Sequence, residues 1–158
     1  MDDSLSIVFA TLIAIILMFL FPMVDTWELQ DNLSYETTYA TVVDFVDTVR
    51  NVGEISPNAY YSFETKLGMT GNTFTVTMEH RKFLEDVGGY MNAYTSDIIS
   101  ELRSGSTYKL DKYDYFYVTV KNTNITQSTV IKNFVYAGGL EPFKIGTSYG
   151  GIVWAVQD

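Results

Sequence analysis

The chain lacks cysteine altogether, has one histidine and three prolines, and contains no lysine or arginine before Arg50. Each absence removes a class of chemistry. Without cysteine there is no disulfide, no thiolate metal site and no cysteine nucleophile. A lone histidine cannot supply a zinc ligand set, and no glycine-rich phosphate loop, nucleophile elbow or HExxH pattern occurs, so no enzymatic activity and no cofactor are expected. A formal charge of −9 argues against direct nucleic-acid binding, which draws its affinity from a basic face. The first glycine is Gly53, and Pro22 is the only proline before Pro57, so little interrupts a helix in the first third of the chain.

What is present is distributed unevenly. Asp2, Asp3, Asp25, Glu28, Asp31, Glu36, Asp44 and Asp47 all precede Arg50, whereas acidic and basic residues nearly cancel beyond it. Between the two acidic groups at 3 and 25 lies LSIVFATLIAIILMFLFPMV, an uncharged run over 5–24. Twenty helical residues span about 30 Å, the thickness of a bilayer's hydrocarbon core. The run is apolar all round, as in a helix surrounded by lipid or by other helices. A secretory signal peptide fits poorly: the start is acidic, the run is long, and Phe19, Leu20, Phe21 and Met23 fill its end. No flanking positive charge sets the orientation.

Helical spacing continues past the apolar run. Tyr35, Tyr39, Val42, Val46 and Val49 recur at intervals of three and four and predict one amphipathic face. The expectation is therefore a single helix from about residue 4 to 52, about 70 Å long and kinked near Pro22. Ser56-Pro57 starts a second, short helix with Tyr60, Phe63 and Leu67 on one face and Gly68 at its end. Alternation predicts a strand over 73–80, and Tyr90, Tyr94, Ile98 and Leu102 predict a helix closed near Gly105. Further strands are expected over 113–121, 129–136 and 151–156, with a short one near Tyr108. Phe116, Val118 and Val120 would face one way and Tyr113, Tyr115 and Tyr117 the other, the tyrosines suiting a subunit contact. The fold class is α+β: a long N-terminal helix over 1–52 and a small antiparallel-sheet head with short helices over 53–158.

His80, beside Arg81 and Lys82, reads as a surface histidine. Asp111 and Asp114 lack the spacing of a calcium loop and read as a solvated turn. Asn32-Leu33-Ser34 and Asn124-Ile125-Thr126 match the glycan acceptor pattern, with Asn124 the better placed of the two.

A helix that is apolar over 5–24, amphipathic afterwards and joined directly to a β-rich head resembles the type IV pilin superfamily of bacterial pilins, pseudopilins and archaeal pilins. With Met1 as the mature first residue, Pro22 stands where many of those proteins carry a helix-kinking proline. Two features depart from the pattern: Leu5 replaces the common glutamate, and no basic leader is visible before Met1. Asp2 and Asp3 are the candidate partners for an N-terminal amine buried among helices, or alternatively favour the helix dipole.

The resemblance implies a structural subunit of an extracellular filament at the cell surface, residing in the inner or cytoplasmic membrane before assembly. It implies homo-oligomeric helical polymerisation aided by motor and platform proteins. Leu5, Ile7, Val8, Leu12, Ile15, Ile16, Phe19 and Phe21 would pack in the filament core. The alternative is a single-pass membrane-anchored extracytoplasmic binding module, or a minor component of a secretion or conjugation machine. Repeated stacking of an acidic helix would make assembly sensitive to ionic strength unless specific cations, Arg50 nearest among them, neutralise it.

Overall fold

A computed structural model describes residues 2–93, 95–136, 138–139 and 141–155. Helix α1 covers Asp2–Val52 and runs unbroken through Pro22. Glycine decides where it stops. Gly53 has φ 78°, a left-handed conformation, and its amide donates to the Val49 carbonyl at 2.8 Å. Next come strand β1 (Glu54–Ile55) and helix α2 (Pro57–Gly68). Ser56 caps α2, its Oγ accepting from the Ala59 amide at 3.2 Å.

The remaining elements are β2 (Phe74–Leu84), β3 (Gly89–Ala93), α3 (Thr95–Arg103), β4 (Tyr108–Lys109), β5 (Tyr115–Asn122), α4 (Gln127–Val135) and β6 (Gly146–Ile152). One antiparallel sheet has the order β3-β2-β5-β6, and β1 pairs with β4 in a second, two-stranded one. The protein is thus α+β, as expected, but several elements differ from the sequence reading.

The strand expected over 73–80 continues to Leu84 and turns back into β3, placing Tyr90 opposite Phe83 in a hairpin rather than on a helix. Gly88 (φ 60°) and Gly89 interrupt any helix there, so α3 begins only at Thr95; Tyr94 lies outside the described residues. The strand expected from 113 begins at Tyr115, because Tyr113 has φ 72° and cannot continue an extended chain. The segment expected as a strand over 129–136 is helical to Val135, not extended. Val130/Phe134 and Ile131/Val135 lie four apart and suit either period, and Thr126, with extended backbone, starts the helix. The last strand is earlier than expected, at Gly146–Ile152; Val156 lies outside the described residues.

Contacts divide the chain into two compact units, 1–33 with 125–143 and 34–124 with 144–158, the boundary falling inside α1. The second unit has an apolar core. Val42, Phe45, Val46 and Val49 of α1 are buried with Phe63 and Leu67 of α2, Met78 of β2, and Phe116, Val118 and Val120 of β5. Phe45 stacks on Phe63 with centroids 4.3 Å apart and meets Phe116 edge-on. The buried stripe is rotated from the expected one: Ser34, Thr38 and Thr41 are buried, while Tyr35 and Tyr39 are exposed. Thr38 tolerates burial because its hydroxyl donates to the Ser34 carbonyl at 2.7 Å.

Arg50 fastens the end of α1 within this unit. Its Nε donates to the Ile152 carbonyl at 2.8 Å, and its carbonyl accepts from the Trp154 and Ala155 amides. A Cβ at Gly151 would lie 2.6 Å from the guanidinium carbon, so a side chain there would displace the arginine from its bond to the Ile152 carbonyl.

Candidate functional site

The first half of α1 is the largest chemically distinctive surface. Leu5, Ile7, Val8, Leu12, Ile15, Ile16, Phe19 and Phe21, the residues expected to pack in a filament core, are all exposed. Six of them share one side of the helix, and Phe9, Ile13, Leu17 and Met18, also exposed, carry the apolar surface round the rest. The segment is long and apolar enough to cross a membrane. Within the run Thr11 Oγ1 donates to the Ile7 carbonyl, and just beyond it Thr26 Oγ1 donates to that of Pro22, each at 2.8 Å. Such internal bonding suits a medium without water. The side chains of Asp2 and Asp3, the candidate N-terminal charge partners, lie outside the described residues.

Beyond the apolar run, the same unit has a polar interior. Asp31 is buried and accepts a hydrogen bond from Ser128 of α4; Thr126 and Thr129 are buried beside it and share a hydroxyl contact at 3.0 Å. Lys132 of α4 pairs with Glu28 at 2.5 Å. The sequence reading missed this arrangement because its polar groups are 97 residues apart and α4 was read as a strand. Its one visible signal is the run Thr126–Thr129, four polar residues directly before an apolar-rich segment, with a hydroxyl residue that can start a helix.

The acidic first third of the chain is therefore partly neutralised by specific partners. Within the second unit, Asp44 pairs with Lys66 at 2.9 Å and Asp47 with Arg50 at 2.8 Å. Asp25 and Glu36 make no ion pair among the described residues.

His80 is not a surface residue, and Asp114 is not in a solvated turn. Both are buried. His80 Nε2 lies 2.7 Å from Asp114 Oδ2, and Nδ1 lies 2.7 Å from the Tyr108 hydroxyl. Asp114 also accepts from the amides of Phe83 at 2.8 Å and Asp111 at 2.9 Å. Burial, followed by the charges of Glu101, Asp114 and Asp97, raises the Tyr108 pKa and keeps its hydroxyl protonated. These bonds tie β2, β4 and the approach to β5 together. No serine, threonine or cysteine nucleophile contacts the histidine among the described residues, and they hold no cluster of three or more metal-ligating side chains. Asp111 pairs with Lys82 at 2.8 Å, a hydrogen bond and charge that raise the lysine pKa.

On the sheet face opposite the core, Tyr115 and Tyr117 stack with centroids 6.5 Å apart, Tyr90 meets Tyr115 edge-on, and Arg81 lies over the Tyr115 ring. Tyr113 stands outside this face and packs against Phe83. Tyr35 and Tyr39 line an open groove of about 740 Å³ whose walls include Lys121 and Lys144. Of the two glycan acceptor motifs, Asn32 is exposed on α1. Asn124 is half-buried, accepting from the Thr73 amide at 2.9 Å and donating to Asn72 Oδ1 at 2.9 Å.

No protein-family model matches the chain, and neither a curated protein nor a solved structure shows a significant match.

Proposed function

We propose that this chain is a structural subunit of an extracellular type IV pilus-like filament, held in the membrane before assembly and polymerising through its N-terminal helix. The observation that carries the proposal is one uninterrupted helix with opposite surroundings in its two halves. Over 5–24 its side chains are exposed and apolar; over 34–50 its stripe belongs to an α+β core. An apolar segment leaves a bilayer only for an equally dry environment, and a bundle of identical helices provides one. Burial in either medium is worth about 1.5–3 kcal/mol per large side chain against water, so exchange between them is close to neutral. Packing and head contacts then govern assembly, with motor and platform proteins driving it. The role is structural, without catalysis.

Negative-stain microscopy of sheared cell-surface material, with mass spectrometry of the chain's N-terminus, tests this. Filaments composed of this chain are the expected result. Membrane-embedded monomers alone would favour an anchored binding module or a minor component of a secretion or conjugation machine. Replacing Asp2 and Asp3 by asparagine is expected to lower filament yield while leaving the subunit in the membrane; unchanged yield removes their role as charge partners.

A further inference from the structure

Helix α4 is amphipathic in the reverse sense to a helix of a water-soluble domain. Its buried residues are Ser128 and Thr129, preceded by buried Thr126, whereas Val130 is 51% exposed, Phe134 79% and Tyr136 63%. Hydroxyls point inward and large apolar groups outward. In water such an arrangement leaves the hydrophobic driving force unused, which implies that a different medium meets the outward face.

Two contacts within the unit fix which medium that is. Ser128 bonds Asp31 and Lys132 pairs with Glu28, so α4 descends along α1 toward the apolar run. Glu28 lies four residues beyond Val24, about 6 Å along a helix axis. A headgroup layer is about 5–8 Å thick on each side of the hydrocarbon core. The Lys132–Glu28 pair therefore sits at headgroup depth when the run over 5–24 spans the core. Phe134, Val135 and Tyr136, one further turn along, come to the level of the core boundary. Aromatic rings with a polar edge favour that boundary, and Trp27 of α1 lies at the same level. Lysine at this depth keeps its ammonium among polar groups while its stem remains in apolar surroundings.

We propose that α4 is an interfacial anchor whose exposed C-terminal end, Phe134 with Val135 and Tyr136, lies in the headgroup–acyl boundary of a phospholipid bilayer crossed by α1. The lipid is zwitterionic, because Asp25, exposed one residue beyond Val24, makes no ion pair among the described residues and opposes anionic headgroups, while Lys132 is already paired with Glu28. The inference rests on the membrane-held stage of the proposed function and adds a second membrane contact, far from α1 in sequence.

The absence of native cysteine makes the test direct. Single cysteines replace Phe134, Leu12 and Tyr61 in the full chain, each labelled with an environment-sensitive fluorophore and reconstituted in phosphatidylcholine vesicles. Nitroxide lipids carry the quencher either near the headgroup or deep in the acyl chain. The label at 12 is expected to respond to the deep quencher, and the label at 134 to the shallow one, several-fold more than that at 61. Phe134 is so exposed that its replacement leaves the fold intact, which an unchanged melting transition of the second unit verifies. If the label at 134 is as wet and unquenched as that at 61 while 12 is quenched, the anchor is overturned and the span stands. A dry label at 134 that neither nitroxide reaches means another copy of the chain covers α4, which also overturns the lipid contact. No quenching at 12 removes the span itself, and with it both the inference and the membrane stage of the filament proposal.

Discussion

The two units are built on opposite principles. In the unit formed by 34–124 and 144–158, Val42, Val46, Met78, Phe116, Val118 and Val120 are buried, as in any domain folded by water. In the unit formed by 1–33 and 125–143, the described residues that are buried are Asp31, Thr126, Ser128 and Thr129, all polar, and the large apolar groups face outward. A protein interior is apolar only relative to its solvent. The second unit is therefore organised for water, whereas the apolar surface of the first, long enough over 5–24 to cross a membrane, suits a medium as apolar as its own side chains. One helix, α1, passes from one regime to the other within a few turns. The two tryptophans serve as separate reporters, Trp27 in one unit and Trp154 in the other.

The strongest way to break this comparison is to cut into the water-organised core. Phe116→Ala removes a fully buried ring that packs edge-on against Phe45. It is expected to cost about 3–5 kcal/mol of stability, read from the denaturant transition of Trp154 in a Trp27→Phe background. Membrane partition of the chain should not change. A parallel loss of membrane association would mean that the two units are not organised independently.

The reciprocal substitution is Ile16→Asp. It places a carboxylate at the centre of the apolar run, costing about 3 kcal/mol of insertion free energy by translocon-type scales. Carbonate extraction of membranes is expected to release a larger share of the variant, while the Trp154 transition stays where it was. If the transition moves instead, Ile16 supports the folded head and the run is not simply a lipid- or bundle-facing surface.

How much of this was legible beforehand follows the same division. The long helix was readable because 5–24 is uniformly apolar and no glycine occurs before Gly53. The alternation Phe116, Val118, Val120 was readable because a half-buried strand has a period of two. The upper part of the α1 stripe differs from the expected Tyr35 and Tyr39, since Ser34, Thr38 and Thr41 look polar yet are small enough to be buried, Thr38 with a local hydrogen bond to the Ser34 carbonyl. Helix α4 was misread for a deeper reason. Hydropathy patterns assume that apolar means inward, and in α4 apolar residues face outward. His80 was misplaced because its partner Asp114 is distant in sequence, and no local pattern announces that a carboxylate will meet it in the interior. The candidate surface over 5–24 was thus identified from composition, whereas the polar interior beside it required the fold.

The polar interior supplies the next test. Ser128→Ala deprives buried Asp31 of a hydrogen-bond donor, so it is expected to cost about 1–3 kcal/mol rather than the fraction expected of an exposed serine. Trp27, four residues before Asp31 on α1, reports the change through its emission in lipid vesicles. Replacing Asp31 and Ser128 together by Asn and Ala should recover part of the loss, because the amide requires less solvation than the carboxylate. With Asp31→Asn measured alone, a double-variant loss equal to the sum of the two single losses would indicate that the contact carries no coupling.

The smallest effect at neutral pH belongs to Tyr60, a buried hydroxyl in the water-organised unit. It donates to Glu64 Oε1 at 2.6 Å, and burial first, then the Glu64 hydrogen bond and charge, push its pKa up to about 12 from the usual 10. Loss of the hydroxyl in Tyr60→Phe is expected to cost about 1 kcal/mol at pH 7. Because the folded-state value is raised, the neutral phenol contributes stability that is complete below pH 10. That contribution is lost as pH rises from 10 through about 12, where the unfolded chain ionises first. A shift of two units corresponds to about 2–3 kcal/mol. The wild-type advantage over Tyr60→Phe should therefore shrink, and then reverse, across this window in Trp154-detected denaturation. Comparing the two chains at each pH cancels the titration of the other tyrosines and the lysines. A gap that stays constant from pH 9 to 12 would show that the Tyr60 hydroxyl admits water in the folded state, and that the dry core around Phe63 and Leu67 stops short of it.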